Sequence, residues 1–185
     1  DPAAADPDDL RGGCRGARRF VDWPTFFDFG DGQVRPNKRI DTALSVPTID
    51  VRAWRLRIHG MVERELTLSF DDLRARQLTE AWVTLACVSN PVGGDLVGNA
   101  TWLGLPIREV LERARPRPEA DMVLSRSEDG FTAGTPLEVL TDPDRQCLVA
   151  VGMNGQPLPL EHGFPARMVT PGLYGYVSAT KWLVD

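Results

Sequence analysis

Residues 84–94 read Thr84-Leu85-Ala86-Cys87-Val88-Ser89-Asn90-Pro91-Val92-Gly93-Gly94. The apolar beginning of this stretch predicts a strand over 82–87, and the Ser, Asn, Pro and Gly residues that follow predict a loop. We therefore expect the Cys87 thiol at the end of a strand, where the strand fixes its position and the loop gives access to it. A thiolate is a strong ligand for a soft metal, so the stretch indicates a metal site.

Two other interpretations of Cys87 stay open at this point. Free cysteine is among the most buried residue types, so the thiol is alternatively a small core residue. A nucleophilic thiol, as in a cysteine hydrolase, is a third interpretation and needs a histidine base within hydrogen-bond reach. The chain has two histidines, His59 and His162.

A second stretch, residues 162–182, combines cationic side chains with many turn residues, and we call it the cation segment. It contains His162-Gly163-Phe164-Pro165-Ala166-Arg167, then Pro171-Gly172-Leu173-Tyr174-Gly175, and then Ser178 and Lys181-Trp182. Arg, Lys and free backbone N–H groups bind phosphate. Taken alone, the segment is also consistent with a turn-rich linker that carries an exposed Arg.

The order and spacing of these stretches resemble the molybdopterin-binding domain of the sulfite oxidase family of molybdenum oxidoreductases. The first stretch continues through Gly98-Asn99-Ala100, Trp102, Gly104 and Pro106, which is similar to the metal-ligand loop of the family's membrane-associated, sulfoxide-reductase-like branch. The resemblance runs from about Arg39 to Asp185. It implies an α+β fold, namely the mixed, mainly β sulfite-oxidase-type molybdopterin-binding fold with short helices, and a molybdenum–molybdopterin cofactor.

The resemblance also implies roles for single residues. Cys87 corresponds to the catalytic thiolate ligand of molybdenum. Trp102, in contrast, is interpreted from its residue type as part of the core. The Arg-Asn-His element of true sulfite oxidases is missing from the N-terminal part of the chain, where Asn37 is the remaining candidate for a cofactor contact. The residues expected to hold the pterin and its phosphate are Asn37, His162, Arg167, Ser178 and Lys181.

The loop after Cys87 bears on the substrate. Relatives that oxidise sulfite follow the ligand Cys with Gly-Asn and then with arginines that help to bind the dianion, whereas this chain has Val88-Ser89-Asn90-Pro91-Val92. We therefore expect oxygen-atom transfer on a small sulfur- or nitrogen-containing substrate, with sulfoxide reduction favoured over sulfite oxidation. The alternative is a binding or structural module that keeps the fold without the cofactor, because a fold alone does not establish activity.

Composition narrows the possible partners. The chain has 185 residues, is 42% hydrophobic and 25% charged, and carries a net charge of -5, which is typical of a globular domain without general affinity for nucleic acid. It contains no Cys-x-x-Cys-His haem motif, so electrons are expected from a redox partner protein or a membrane subunit. The chain starts without Met and shows no signal-peptide pattern. We interpret it as part of a longer or processed protein, extracytoplasmic in location, whose membrane anchor, if there is one, lies outside this segment.

Hydrophobic periodicity divides the chain into two parts. Residues 1–40 show little periodicity and predict an extended N-terminal arm, and residues 41–185 form the predicted oxidoreductase domain. In the domain we expect short helices at 69–76, 106–114 and 136–140, strands at 54–58, 82–87, 122–125, 147–153, 166–169 and 179–184, and a hairpin turn at Asn154-Gly155. Residues 127–132 are interpreted as a hairpin turn or as the entrance of a pocket. Three unevenly spaced cysteines predict neither a disulfide framework nor a zinc site, so Cys147 is expected in the core and Cys14 in the arm.

Overall fold

A computed structural model describes residues 17–18 and 45–185 of the chain. In these residues short strands outnumber helices, as the sequence predicts, and the mainly β, α+β fold is confirmed. The strands are β1 (Ala17–Arg18), β2 (Arg55–Ile58), β3 (Leu66–Ser69), β4 (Leu78–Ala86), β5 (Val97–Pro106), β6 (Met122–Arg126), β7 (Thr132–Pro136), β8 (Leu148–Met153), β9 (Gln156–Pro157) and β10 (Arg167–Val169). The α-helices are α1 (Phe70–Arg74), α2 (Ile107–Ala114) and α3 (Leu137–Thr141), and 3-10 turns cover Leu160–His162 and Gly175–Val177.

The main sheet is antiparallel and has the order β1-β4-β5-β8-β10, with β9 paired to β8. All six residues of β8 are buried, which explains why its sequence is an uninterrupted apolar run rather than an alternating one. Two small antiparallel sheets, β2-β3 and β6-β7, accompany the main sheet. The larger hydrophobic cluster includes α2 and the β2-β3 pair, and the smaller one includes β4, β5 and β8.

The long β4–β5 hairpin positions the end of β4. Its ladder runs from Thr79 opposite Gly104 to Ala86 opposite Val97, so the chain between the two strands is a loop at one end of the sheet. Ala81 and Val83 are buried, whereas Trp82 between them is 73% exposed, because successive side chains of a strand point to opposite faces. The ladder therefore presents Cys87 at the first position beyond a rigid strand.

Two short helices have clear sequence origins. Ser69 and Asp72 form the capping box that starts α1, with the Ser69 hydroxyl accepting from the Asp72 N–H and the Asp72 carboxylate accepting from the Ser69 N–H. In α2 the buried side chains recur at helical spacing on one face, and the helix packs through them into the larger cluster. These helices, together with α3, confirm the three helical predictions to within two residues at each end.

Other predictions need correction. A strand at 179–184 was expected, but Trp182 adopts a left-handed conformation with φ of 49°, so the segment turns and only an isolated bridge joins Leu183 to Ser127. Strands β3, β5 and β7 were not predicted. Residues 127–132 form the β6–β7 hairpin turn, with positive φ at Gly130.

No helix in the described residues is long and apolar enough to cross a membrane. The predicted arm at 1–40 lies outside the described residues except for Ala17–Arg18, which pairs with the edge of β4.

Candidate functional site

The loop that carries Cys87 spans residues 87–96 and is fastened by hydrogen bonds to its own backbone; we call it the Cys87 loop. The Cys87 N–H donates to the Leu96 carbonyl at 2.9 Å, and the Leu96 N–H donates to Asn90 Oδ1 at 2.7 Å. A Cβ added at Gly94 would lie 2.7 Å from Asn90 Oδ1, so this close approach requires glycine. The glycine of the sequence motif therefore keeps the loop folded back on itself beside the thiol.

The Cys87 side chain is half-buried, and its sulfur lies 3.0 Å from the hydroxyl oxygen of Ser89. The pKa of the Cys87 thiol is lowered, first by the Ser89 hydroxyl, then by the Ser89 and Val88 backbone N–H groups, while burial opposes the change. Cys147 shows the opposite behaviour, because burial raises the pKa of its thiol to about 11. Cys147 is thus a core thiol, as predicted, whereas the surroundings of Cys87 favour the thiolate more than those of an ordinary thiol do.

Arg167 lies in the interior of the cation segment. Its guanidinium donates to the backbone carbonyls of His162 at 3.0 Å, Ala179 at 3.3 Å and Met168 at 3.4 Å. Only 6% of the residue is exposed, and burial lowers its pKa to about 10. Within the described residues these partners are carbonyls rather than carboxylates, so no carboxylate among them neutralises the cation.

Lys181 lies against the turn that follows His162. Its Nζ donates to the Glu161 carbonyl at 3.1 Å and lies 4.6 Å from the centroid of the Trp182 ring. A Cβ added at Gly163 would lie 2.8 Å from the Lys181 Cβ, so glycine is needed there both for this contact and for its φ of 105°. The structure thus brings together the backbone of His162, the buried Arg167 and the half-buried Lys181.

Two contacts connect the cation segment to the Cys87 strand. A Cβ added at Gly175 would lie 3.8 Å from the carbonyl oxygen of Ala86, the residue before Cys87. The Arg167 guanidinium stacks over the Trp102 ring, 4.9 Å from its centroid, and the Trp102 indole N–H donates to the Val83 carbonyl of β4 at 3.4 Å. The cation segment therefore packs against β4 and β5, with Gly175 next to the residue that precedes Cys87 and Arg167 against Trp102, further along the sheet.

The remaining predicted residues differ in their surroundings. Ser178 is fully buried, and its hydroxyl donates to the Tyr174 carbonyl at 2.9 Å, which closes the 3-10 turn. Tyr174 itself is 54% exposed. His59 lies 3.6 Å from Asp185, beside the β2-β3 pair, and the hydrogen-bond partner of the Cys87 thiol is Ser89 rather than a histidine. Asn37 lies outside the described residues.

Among the described residues, the Cys87 thiol is the candidate metal ligand, and it is not part of a complete set of protein ligands. Within 17–18 and 45–185, no three His, Cys, Asp or Glu side chains converge on a point where they could hold an ion. A thiolate such as that of Cys87 is a ligand for a soft metal, and the cation segment carries charge of the sign that attracts an anionic group.

Comparison with known proteins agrees with this chemistry. Residues 43–185 match the model of the oxidoreductase molybdopterin-binding domain. The chain belongs to this family. It is therefore a molybdopterin-binding oxidoreductase domain, whose cofactor is a molybdenum–molybdopterin, as the sequence resemblance implies.

Several relatives of this molybdopterin-binding domain have named activities. It is 35% identical to the uncharacterized oxidoreductase YuiH of Bacillus subtilis, over 82% of this chain and 77% of YuiH. It is 34% identical to mouse mitochondrial sulfite oxidase, over 83% of this chain and 32% of that protein. It is 33% identical to the NADPH nitrate reductase of Fusarium oxysporum, over 72% of this chain and 17% of that protein. The domain thus spans a third or less of the sulfite oxidase and nitrate reductase that it matches.

The same architecture is found in a solved structure. The sulfane dehydrogenase SoxCD of Paracoccus pantotrophus superposes with a TM-score of 0.69 and 26% identity, over 75% of this chain and 39% of that chain. This match supports the sulfite-oxidase-type fold of the molybdopterin-binding domain.

Sequence reasoning missed the positions that hold the site together. Trp102 was interpreted as core, and it is buried, but its ring also carries the Arg167 guanidinium and its indole N–H contacts β4. The contact of Gly163 with Lys181 was also missed. A glycine directly after His162 was a visible signal, but the partner that requires it is 18 residues further along the chain and becomes known only from the fold.

Proposed function

We propose that the Cys87 thiolate ligates the molybdenum of the cofactor and that the domain transfers an oxygen atom to or from a small sulfur- or nitrogen-containing molecule, with sulfoxide reduction favoured over sulfite oxidation. The observation that supports this most directly is the half-buried Cys87 thiol with its lowered pKa, next to the Gly175 turn of the cation segment, in which the buried Arg167 guanidinium donates to backbone carbonyls. When bound, the molybdopterin supplies the two-electron redox chemistry, and the protein supplies ligation, orientation and electrostatics.

Each cationic residue has a distinct part in holding the cofactor. Lys181 carries a compact charge at the surface of the site, suited to a phosphate group. Arg167 is buried, and its hydrogen bonds within the described residues go to backbone carbonyls. We therefore assign Arg167 to attracting the anionic cofactor by charge and to fixing the His162 turn, and Lys181 to contacting the phosphate directly. The hydroxyl of Ser178 and the side chain of His162 complete the proposed set, together with Asn37.

The charge of the Cys87 loop supports a neutral substrate. Residues 88–96 contain no Lys, Arg or His and include one acid, Asp95. A dianion such as sulfite is bound best by charge-assisted hydrogen bonds from cations, which this loop does not provide. Val88 and Val92 are exposed apolar side chains on the same loop. A sulfoxide, neutral and partly apolar, suits these surroundings better.

We further propose that the reaction is coupled to a redox partner protein or a membrane subunit, and that the domain works outside the cytoplasm, in the periplasm or on the outer face of the cell membrane. The sequence supports the need for a partner, because it has no Cys-x-x-Cys-His motif for a haem of its own. The extracytoplasmic location is supported by the resemblance to the membrane-associated branch of the family.

The test begins with protein produced in a host that makes molybdopterin. We expect molybdenum and pterin in equal amounts, reduction of a methyl sulfoxide by an artificial electron donor, and weak or no electron transfer from sulfite to ferricyanide. Cys87→Ser is expected to abolish turnover with the fold retained, and Cys147→Ser is the matched control because its thiol lies in the core. Faster sulfite oxidation than sulfoxide reduction would contradict the substrate assignment. Absence of molybdenum would favour a module without cofactor.

A further inference from the structure

We propose that Ser89 is a positioning residue whose hydroxyl donates a hydrogen bond to the metal-bound sulfur of Cys87 and thereby tunes the electron density that this ligand gives to molybdenum. This inference rests on the proposed role of Cys87 as the ligand. Its carrying observation is the 3.0 Å distance between Cys87 Sγ and Ser89 Oγ.

The direction of this hydrogen bond follows from the chemistry of the ligand. In the cofactor-free protein either the thiol or the hydroxyl can be the donor. A metal-bound thiolate has no S–H proton, so its sulfur can only accept, and the Ser89 O–H must donate. Ligation of the metal therefore fixes the orientation of Ser89 and strengthens the bond, because hydrogen bonds to charged acceptors are stronger than neutral ones.

The loop holds Ser89 in place for this contact. The Asn90 N–H donates to the Cys87 carbonyl at 3.0 Å, which makes a tight turn around Val88 and Ser89. The Asn90 side chain then accepts from the Leu96 N–H, and so ties this turn to the far end of the loop. The Asn90 amide oxygen is thus engaged within the loop, and Ser89 supplies the side-chain contact to the sulfur.

A hydrogen bond to a ligand sulfur withdraws electron density from the metal. Less electron donation stabilises the reduced metal relative to the oxidised metal, so the bond raises the reduction potential. An enzyme that accepts electrons and passes them to a sulfoxide depends on this potential. Ser89 thus acts on this potential through the Cys87 sulfur.

The experiment compares Ser89→Ala, Ser89→Thr and Val97→Ala in the cofactor-loaded protein. Redox titration is followed by the electron paramagnetic resonance signal of the one-electron-reduced metal. We expect Ser89→Ala to shift the potential to lower values and to change the g-values. Ser89→Thr keeps a hydroxyl and is expected to restore both. Val97→Ala, on an exposed side chain at the start of β5 directly after the loop, is expected to change neither.

The outcomes separate this inference from the proposed function. Unchanged potential and g-values in Ser89→Ala, with a Cys87→Ser variant that loses the native signal, would overturn the role of Ser89 and leave Cys87 as the ligand. An unchanged signal in Cys87→Ser would instead contradict the ligand assignment. If Ser89→Ala fails to load metal, normal loading and a native signal in Ser89→Thr support the hydrogen bond, whereas failure of both variants contradicts it.

Discussion

Substitution of Gly163 by alanine tests whether Lys181 packs against the turn after His162. Two costs arise in Gly163→Ala. The φ of 105° is unfavourable for any residue with a Cβ, at about 1–2 kcal/mol. The new methyl group would also lie 2.8 Å from the Lys181 Cβ and 3.0 Å from its Cα, and overpacking of this kind costs about 1–3 kcal/mol. The expected loss of unfolding free energy is therefore about 2–5 kcal/mol.

Gly60→Ala is the matched control for this measurement. Gly60 has a similar φ of 91°, but a Cβ added there would have no heavy atom within 4 Å, so only the backbone cost of about 1–2 kcal/mol applies. Urea unfolding of both variants gives the two free energies, and their difference isolates the steric contact with Lys181.

Cofactor content provides a second readout of the same pair. Displacement of Lys181 is expected to lower the molybdenum content of Gly163→Ala, whereas Gly60→Ala is expected to load normally. Equal destabilisation of the two variants would refute the contact between Gly163 and Lys181. Normal cofactor content in a clearly destabilised Gly163→Ala variant would refute the role of that contact in cofactor binding.

Three further predictions concern charge and titration. In folded, cofactor-free protein, peptide mapping after iodoacetamide treatment should show Cys87 modified below the ordinary thiol pKa, and Cys147, whose pKa is raised to about 11, modified only after unfolding. Burial works to raise the pKa of Asp185, but hydrogen bonds from Arg57 and Arg126 outweigh it, so the pKa of Asp185 is lowered in the folded protein. Ionised Asp185 therefore stabilises the fold above its unfolded pKa, and this stabilisation is lost as the pH falls through its folded pKa. Urea titrations should thus show wild type and Asp185→Asn converging at low pH. Lys181→Met should bind the cofactor more weakly, by a factor of about ten for each ~1.4 kcal/mol of binding free energy that the Lys181 contact contributes. The molybdenum content per protein measures this loss.

Strands with one clear periodicity were predictable from the sequence. The alternation of Leu56 with Arg55 and Arg57 gave β2, and the capping residues at Ser69 and Asp72 gave the start of α1, because both signals are local. Local signals need no knowledge of the partner. These elements form with the bounds expected to within one or two residues.

Strand β5 shows where local reasoning fails. Its sequence contains Gly98, Asn99 and Gly104, which indicate a loop when considered alone. In the fold, a Cβ at Gly104 would overlap the backbone of Val149, and the register between β5 and β8 shifts at this point. The glycine is therefore required by close approach of two strands, a reason that belongs to tertiary structure.

The sequence indicated the candidate site as a set of residues but not as an arrangement. The sequence indicated Cys87, Arg167 and Lys181 through their motifs. It could not show that the Arg167 guanidinium is buried against Trp102 and bound by backbone carbonyls, since the residues that surround it come from a strand and two turns that only the fold brings together. Nor could it show that Ser89, two residues after Cys87, turns back onto the sulfur.

The central claim is that the Cys87 thiolate is the one ligand that the described protein residues give to molybdenum. X-ray absorption at the molybdenum edge, recorded on matched wild-type and Cys87→Ser samples, tests it most directly by counting the sulfur neighbours of the metal. We expect the variant to keep its molybdenum and pterin and to show one sulfur neighbour fewer, replaced by a lighter atom. An identical sulfur count in the two samples would contradict the claim.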